Sequence, residues 1–263
     1  MKLLIGAIML ILLPAVSSVH AEGSWLQKSS INLKATYASK YMWRGYDVQN
    51  NVPAFQSDLS FNISDTGLYA GLWYSAALYS RPEWGEWDEV DGYIGYAQSM
   101  FSDKRYSLEY DAAFTHYYFF RIPRINDTED VMLSLKLPNA LPLFGSYLVP
   151  RIKTYYSWYP HVESIHGIWF AVAALYDFPL PSFLNARGDR KLSWILESYH
   201  RELHYPHQLV DKGWNNIMTG FSTAVKWNGY TFEPGINYQW SIEDTVDNEN
   251  EFWVMFSVSR DIR

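Results

Sequence analysis

Residues 54–63 read AFQSDLSFNI. In that run Phe55, Ser57, Leu59, Phe61 and Ile63 fall on one face of an extended chain, while Ala54, Gln56, Asp58, Ser60 and Asn62 fall on the other. Successive side chains of a strand point to opposite faces, so alternation with period two marks a strand with one apolar side. The rhythm recurs at 106–115, where Tyr106, Leu108, Tyr110, Ala112 and Phe114 oppose Ser107, Glu109, Asp111, Ala113 and Thr115. It recurs at 230–241, where Tyr230, Phe232, Pro234, Ile236, Tyr238 and Trp240 oppose a face that carries Glu233, Asn237 and Gln239.

Carried along the chain, this alternation predicts twelve strands, at 32–44, 54–63, 67–78, 89–100, 104–119, 129–137, 146–158, 166–177, 190–201, 214–227, 230–241 and 251–261. The links at 64–66, 101–103 and 228–229 are tight, whereas 45–53, 79–88, 120–128, 202–213 and 242–250 are long and polar; 138–145 and 178–189 are longer links on the short-turn side. An even strand count with short turns at one end and longer loops at the other is the pattern of a transmembrane barrel with both termini periplasmic. The strands match the roughly 9–11 residues that cross a bilayer at a tilt, and exceed the mode of about 5–6 in globular sheets. A soluble sandwich or lipocalin-like barrel, its apolar face turned inward, fits neither that length nor a composition with 12 Trp, 21 Tyr and 14 Phe. Aromatic residues gather near the expected strand ends: Tyr41 with Trp43, Tyr117 with Tyr118, Tyr156 with Trp158, Trp227 with Tyr230, and Trp240. Such rings are expected at headgroup depth.

The N-terminus carries a different signal. An apolar run, Leu3–Val16, follows Lys2 and precedes Val19-His20-Ala21. That is a secretory signal peptide over 1–21, too short for a membrane span, and it leaves one domain, 22–263. The expected fold is therefore all-β, a transmembrane antiparallel barrel of about twelve strands, exported to the outer membrane of a bacterium. Its surroundings would be outer-membrane lipids, lipopolysaccharide and the barrel assembly machinery.

With 21 Lys+Arg against 28 Asp+Glu, a net charge of -7, the chain is no basic nucleic-acid binder. It has no cysteine, so thiolate sites and disulfides are excluded. Gly-x-Ser-x-Gly, His-Glu-x-x-His and Gly-rich phosphate loops are all missing, and the reading is a non-enzyme with neither cofactor nor metal. A lipid-modifying enzyme is the weaker alternative, with His200 and Ser198 on one strand face. His200, His204 and His207, with His161 and His166, converge on the loop end, but Pro206 breaks the helix that their spacing would need to form a metal face. Carboxylates crowd the loops as Glu83, Glu86 and Asp88, as Asp127 and Glu129, and as Glu243, Asp244, Asp247 and Glu249. There they could hold divalent cations or serve plain solubility.

Projection of the strands places Lys34, Lys40, Arg44, Asp58, Asp91, Glu109, Asp111, Lys136, Arg151, Lys153, Glu197, Lys226 and Glu233 on the non-apolar face as candidate pore-lining residues. A charge on the lipid face would cost about 2–4 kcal/mol for Lys or Arg at the midplane, so their steady placement implies a wet interior. Opposite signs are neighbours along the wall, Glu109 and Asp111 beside Lys136 for instance, which favours an open bore for small hydrophilic solutes. A plugged barrel that acts as a surface binding or structural protein is the alternative. Arg44 is expected at the outer end of the first strand, pointing inward towards Asp58 or Asp91.

One stretch resembles a known family. Tyr41, Arg44 and Gly45, then Pro53, Ala54 and Gln56, then Gly67, Tyr69, Gly71 and Trp73 are similar to the opening of the TorF-type porin family of Gram-negative outer membranes. There a Tyr-x-x-Arg-Gly block ends the first strand, a Pro-Ala-x-Gln block starts the second and a Gly-x-Tyr-x-Gly-x-Trp block forms the third. Glu89–Tyr96 looks like the fourth strand of that family. The resemblance implies a channel-like outer-membrane barrel and names no solute. Barrels of this kind usually end on an aromatic residue, whereas this sequence reads Asp261-Ile262-Arg263.

Overall fold

A computed structural model describes residues 29–80, 87–162, 164–181, 190–204 and 212–262. Twelve long strands follow one another: β1 (Ser30–Ala38), β2 (Ala54–Asn62), β3 (Leu68–Ala77), β4 (Glu89–Met100), β5 (Leu108–Phe119), β6 (Thr128–Lys136), β7 (Ser146–Trp158), β8 (His166–Phe178), β9 (Arg190–His204), β10 (Gly213–Trp227), β11 (Tyr230–Ser241) and β12 (Glu251–Ile262). Each pairs antiparallel with its neighbour in sequence, and β1 pairs with β12 from Ile31↔Ile262 to Ala38↔Met255, which closes the barrel. Closure pairs both edges of each of the twelve strands, so none of them presents an unpaired row of backbone groups among the described residues.

The period-two pattern becomes two surfaces. Leu59, Leu72, Ile94, Val131, Leu133, Ile152, Phe221, Ile236 and Phe252 are all exposed on the outside, Ile94 and Phe252 at 57%. Register carries the opposite set inward: Lys34 pairs with Asp58, Asp58 with Trp73, Trp73 with Asp91 and Asp91 with Tyr117. The interior is thus polar, and the apolar belt faces out.

At one end the links are short. A 3-10 turn spans Ser64–Thr66, and Asn228-Gly229 forms a two-residue hairpin with φ of 50° and 80°, the positive pair that such turns require. The other end, here the loop end, carries the longer segments, including 39–53 and 242–250.

Two expected boundaries move. β5 begins at Leu108 rather than 104, because Met100 pairs with Leu108 and 101–107 forms the connecting turns. More consequentially, β1 stops at Ala38 rather than 44. The Ser39 amide still donates to the Val254 carbonyl at 2.9 Å, and then the chain leaves the wall. The signal peptide at 1–21 lies outside the described residues.

Candidate functional site

After Ala38 the chain folds into the barrel. Met42–Trp43 pairs with Tyr46–Asp47 as a small hairpin whose tip is Arg44-Gly45. Both tip residues have positive φ, 51° and 100°, as in a two-residue turn of the primed kind. Gly45 suits that conformation, and a Cβ there would press on Asn215 and Val246 at 3.2 and 3.3 Å. Arg44 does not suit it: a left-handed non-glycine residue persists only where its surroundings over-determine it.

Those surroundings lie across the lumen from β1. The Arg44 guanidinium pairs with Asp130 of β6, and its Nη1 lies 3.4 Å from Ser157 Oγ of β7. Its Cζ stands 3.9 Å from the centre of the Tyr155 ring, 4.4 Å from Trp43 and 5.3 Å from Trp169. The side chains of Arg44 and Asp130 are 4% and 1% exposed. Burial alone would lower the Arg44 pKa, but the Asp130 carboxylate together with the Tyr117 and Tyr155 hydroxyls outweighs it and raises it, so the cation is permanent. The backbone of the tip is held too: Asn215 donates to the Arg44 carbonyl at 3.1 Å and Gln239 to the Gly45 carbonyl at 2.8 Å. Arg201 of β9 donates to the Tyr46 hydroxyl at 2.6 Å, and Lys40 pairs with Glu251. Tyr41 packs on Trp73 at 5.5 Å; burial, then the nearby Glu89 and Asp91, push its hydroxyl well above the usual phenol range.

This layer carries more carboxylate than it pairs. Glu89, Asp91 and Asp130 are 1%, 5% and 1% exposed, yet among the described residues Glu89 Oε1, Asp91 Oδ1 and Asp130 Oδ1 accept no hydrogen bond. No group of three or more His, Asp or Glu residues among the described residues is arranged to hold a metal ion.

Towards the turn end the interior opens. A cavity of about 560 Å³ is bounded by Glu109, Asp111, Ser134, Lys136, Arg151 and Lys153. Lys136 pairs with Glu109, and Arg151 reaches Glu197 at 2.7 Å with Lys153 at 3.7 Å from the same carboxylate. Lys34 and Glu233, 3.7 Å apart, are each 40% exposed, an order of magnitude more than the loop-end pair. Tyrosines lie flat on this wall. Tyr93 crosses Gly71 to reach Asp58 at 3.0 Å, and Tyr69 crosses Gly95 to reach Asp111 at 2.7 Å. A Cβ at either glycine would collide with the crossing ring, which gives Gly71 of the sequence motif a physical reason.

Of the thirteen residues projected inward, Lys34, Asp58, Asp91, Glu109, Asp111, Lys136, Arg151, Lys153, Glu197, Lys226 and Glu233 sit on the strand face opposite the apolar belt. Lys40 and Arg44 belong to no barrel strand. Arg44 meets neither Asp58, which Tyr93 engages, nor Asp91, because the hairpin carries it to the far wall. Tyr41 and Trp43 are inside rather than at headgroup depth, and Tyr117 points inward to Asp130 at 3.0 Å. The interior is hollow around the turn-end cavity and occupied by the hairpin at the loop end. Asp130 and Arg201 went unassigned, although parity with Ser134 and Glu197 would have put both inside.

On the outer wall, His200 packs edge-on against Trp214 at 5.1 Å, while the Ser198 hydroxyl donates to the Asn216 carbonyl at 2.5 Å, so the two do not address each other. His161 lies 3.8 Å from Asp127. His207, Glu83 and Glu86 lie outside the described residues.

Comparison with known proteins agrees with this architecture. Residues 26–134 match a family described as a bacterial protein of unknown function, Gcw_chp. The TorF-type assignment is not among these matches, and no curated protein matches the sequence. Among solved structures, the chain is similar to an outer-membrane channel from Pseudomonas putida F1, with 8% identity, 93% of this chain and 100% of that one covered, and a TM-score of 0.53. It is similar to the KdgM porin at 8% identity, covering 89% and 99%, with a TM-score of 0.52. For the NanC porin the values are 13% identity, 88% and 98%, and 0.51. At such identities the likeness concerns the fold, a closed antiparallel barrel.

Proposed function

We propose that this protein is an outer-membrane channel for passive passage of small hydrophilic solutes or ions, narrowed at its loop end by the inward hairpin of residues 39–53. The supporting observation is the contrast between the two ends of the interior. Charged side chains line it throughout, but they are solvated around the cavity of about 560 Å³ at the turn end and buried around Arg44 at the loop end. A charged, wet wall behind an apolar belt suits a water-filled path, and a short constriction is where such a path selects. Export, lipopolysaccharide contact and handling by the assembly machinery belong to the same reading, as does the absence of covalent chemistry.

The hairpin also favours a second reading, a plugged barrel that binds or supports a partner at the surface. Planar-bilayer recording of the refolded chain separates them. Discrete conductance steps that grow when the hairpin is loosened support the channel; silence from protein with intact heat-modifiable migration, in wild type and hairpin variants alike, supports the plug.

A further inference from the structure

The pocket that receives Arg44 has the composition of a receptor for an organic cation. One carboxylate, Asp130, faces the guanidinium, and the rings of Trp43, Tyr155 and Trp169 surround it at 3.9–5.3 Å. Aromatic faces attract cations through their quadrupoles, and most strongly when water is excluded, as it is around a side chain 4% exposed. Beside it, Asp91 and Glu89 each present a buried oxygen without a hydrogen-bond partner among the described residues. Arg44 is the counter-ion of Asp130, so its withdrawal would leave that carboxylate buried and unpaired, while Arg201, 5.8 Å from the Trp169 ring, stays on the wall. No carboxylate cage for a metal is formed among the described residues, and the rings add nothing to the binding of a hard metal ion. A delocalised or alkylated cation gains from both.

The ligand in this pocket is delivered on a tether that is not part of the barrel wall. Its residue has a left-handed backbone, φ 51°, and the hairpin belongs to a loop-end connection rather than to the wall. We propose that Arg44 is an internal stand-in for a guanidinium- or ammonium-bearing solute: the Asp130–Tyr155–Trp169 pocket binds such solutes when the hairpin withdraws, and they compete with Arg44 to open the constriction. This rests on the channel reading and adds to it a solute class and a site.

The test uses the full mature chain, refolded, with methylguanidinium as probe and urea and sodium chloride at equal concentration as controls. Arg44→Ala should raise single-channel conductance. Millimolar methylguanidinium should then lower it towards the wild-type level in a saturable way and raise the temperature of the heat-modifiable transition. Adding Asp130→Asn should weaken the probe about tenfold or more, the loss expected when one charge-assisted hydrogen bond is removed. Should Arg44→Ala fail to fold, wild-type protein serves: methylguanidinium should increase its open probability where sodium chloride does not. Probe effects no larger than those of sodium chloride, in both conductance and heat stability, overturn the site while leaving the channel intact. If neither protein conducts but the heat transition of Arg44→Ala still rises saturably with the probe, the site stands and the channel reading falls.

Discussion

Asp247 shows how one residue ties a surface loop to the interior. It follows β11 in the 242–250 connection, and its carboxylate accepts from the Glu249 amide at 3.2 Å and stands 3.5 Å from Gln239 Nε2, whose other contact is the hairpin tip. Burial raises its pKa to about 6, the Glu251 and Asp47 carboxylates add to the rise, and the Glu249 amide and Lys40 oppose it. A carboxyl raised in the docked loop above its unfolded value of about 3.9 stabilises docking fully below that value. The contribution is lost as pH rises through about 6. The loop should therefore exchange amide hydrogens more slowly at pH 5 than at pH 7.5, after correction for intrinsic rates. Asp247→Asn, which keeps the acceptor for Glu249 and removes the charge, should abolish the difference; a pH dependence unchanged in that variant would assign it to another group.

At the scale of the element, the pleat makes each strand a test of its own register. In β6, Leu133 is 47% exposed on the belt, while Ser134 pairs with Asp111 and Lys153 on the inner face. Arg at 133 should cost about 2–4 kcal/mol in lipid, whereas Arg at 134 enters a hydrated, charged cavity. Leu133→Arg is thus expected to impair folding into vesicles far more than Ser134→Arg, measured as the fraction of heat-modifiable protein. Equal losses would mean that the faces are exchanged. The hairpin obeys other rules, for its two-residue strands carry too little alternation to be told from the end of β1. Read as strand, residues 39–44 keep the parity of Lys34; seen in three dimensions, they leave the wall at Ser39.

For the whole molecule, the distribution of charge along the axis sets the expected selectivity. At the turn end, cations and carboxylates cancel in pairs: Lys136 with Glu109, Arg151 and Lys153 with Glu197, Lys34 with Glu233. At the loop end the buried oxygens of Glu89 and Asp91 have no such match among the described residues. Reversal potentials in a salt gradient should report cation preference. The share owed to exposed loop carboxylates fades as the Debye length shrinks from about 10 Å at 0.1 M to about 3 Å at 1 M. Glu89→Gln with Asp91→Asn should change the preference little, because a carboxyl buried without a counter-ion gives up its charge. Anion preference in the wild type would contradict this placement of charge.

Strand count, face and barrel class were legible in the linear chain because a bilayer imposes a local rule: every second residue meets lipid, and about ten residues complete a crossing. Leu59 and Asp58 carry that information in themselves. The Arg44 site was not legible, because its partners Asp130, Ser157 and Trp169 are separated from it by 86 to 125 residues and meet it only once the ring closes. Alternation tells which side of the wall a residue faces, and it says nothing about what crosses the space that the wall encloses. That was decided in three dimensions, by a turn of two residues with positive φ and a buried charge whose counter-ion lies on the opposite wall.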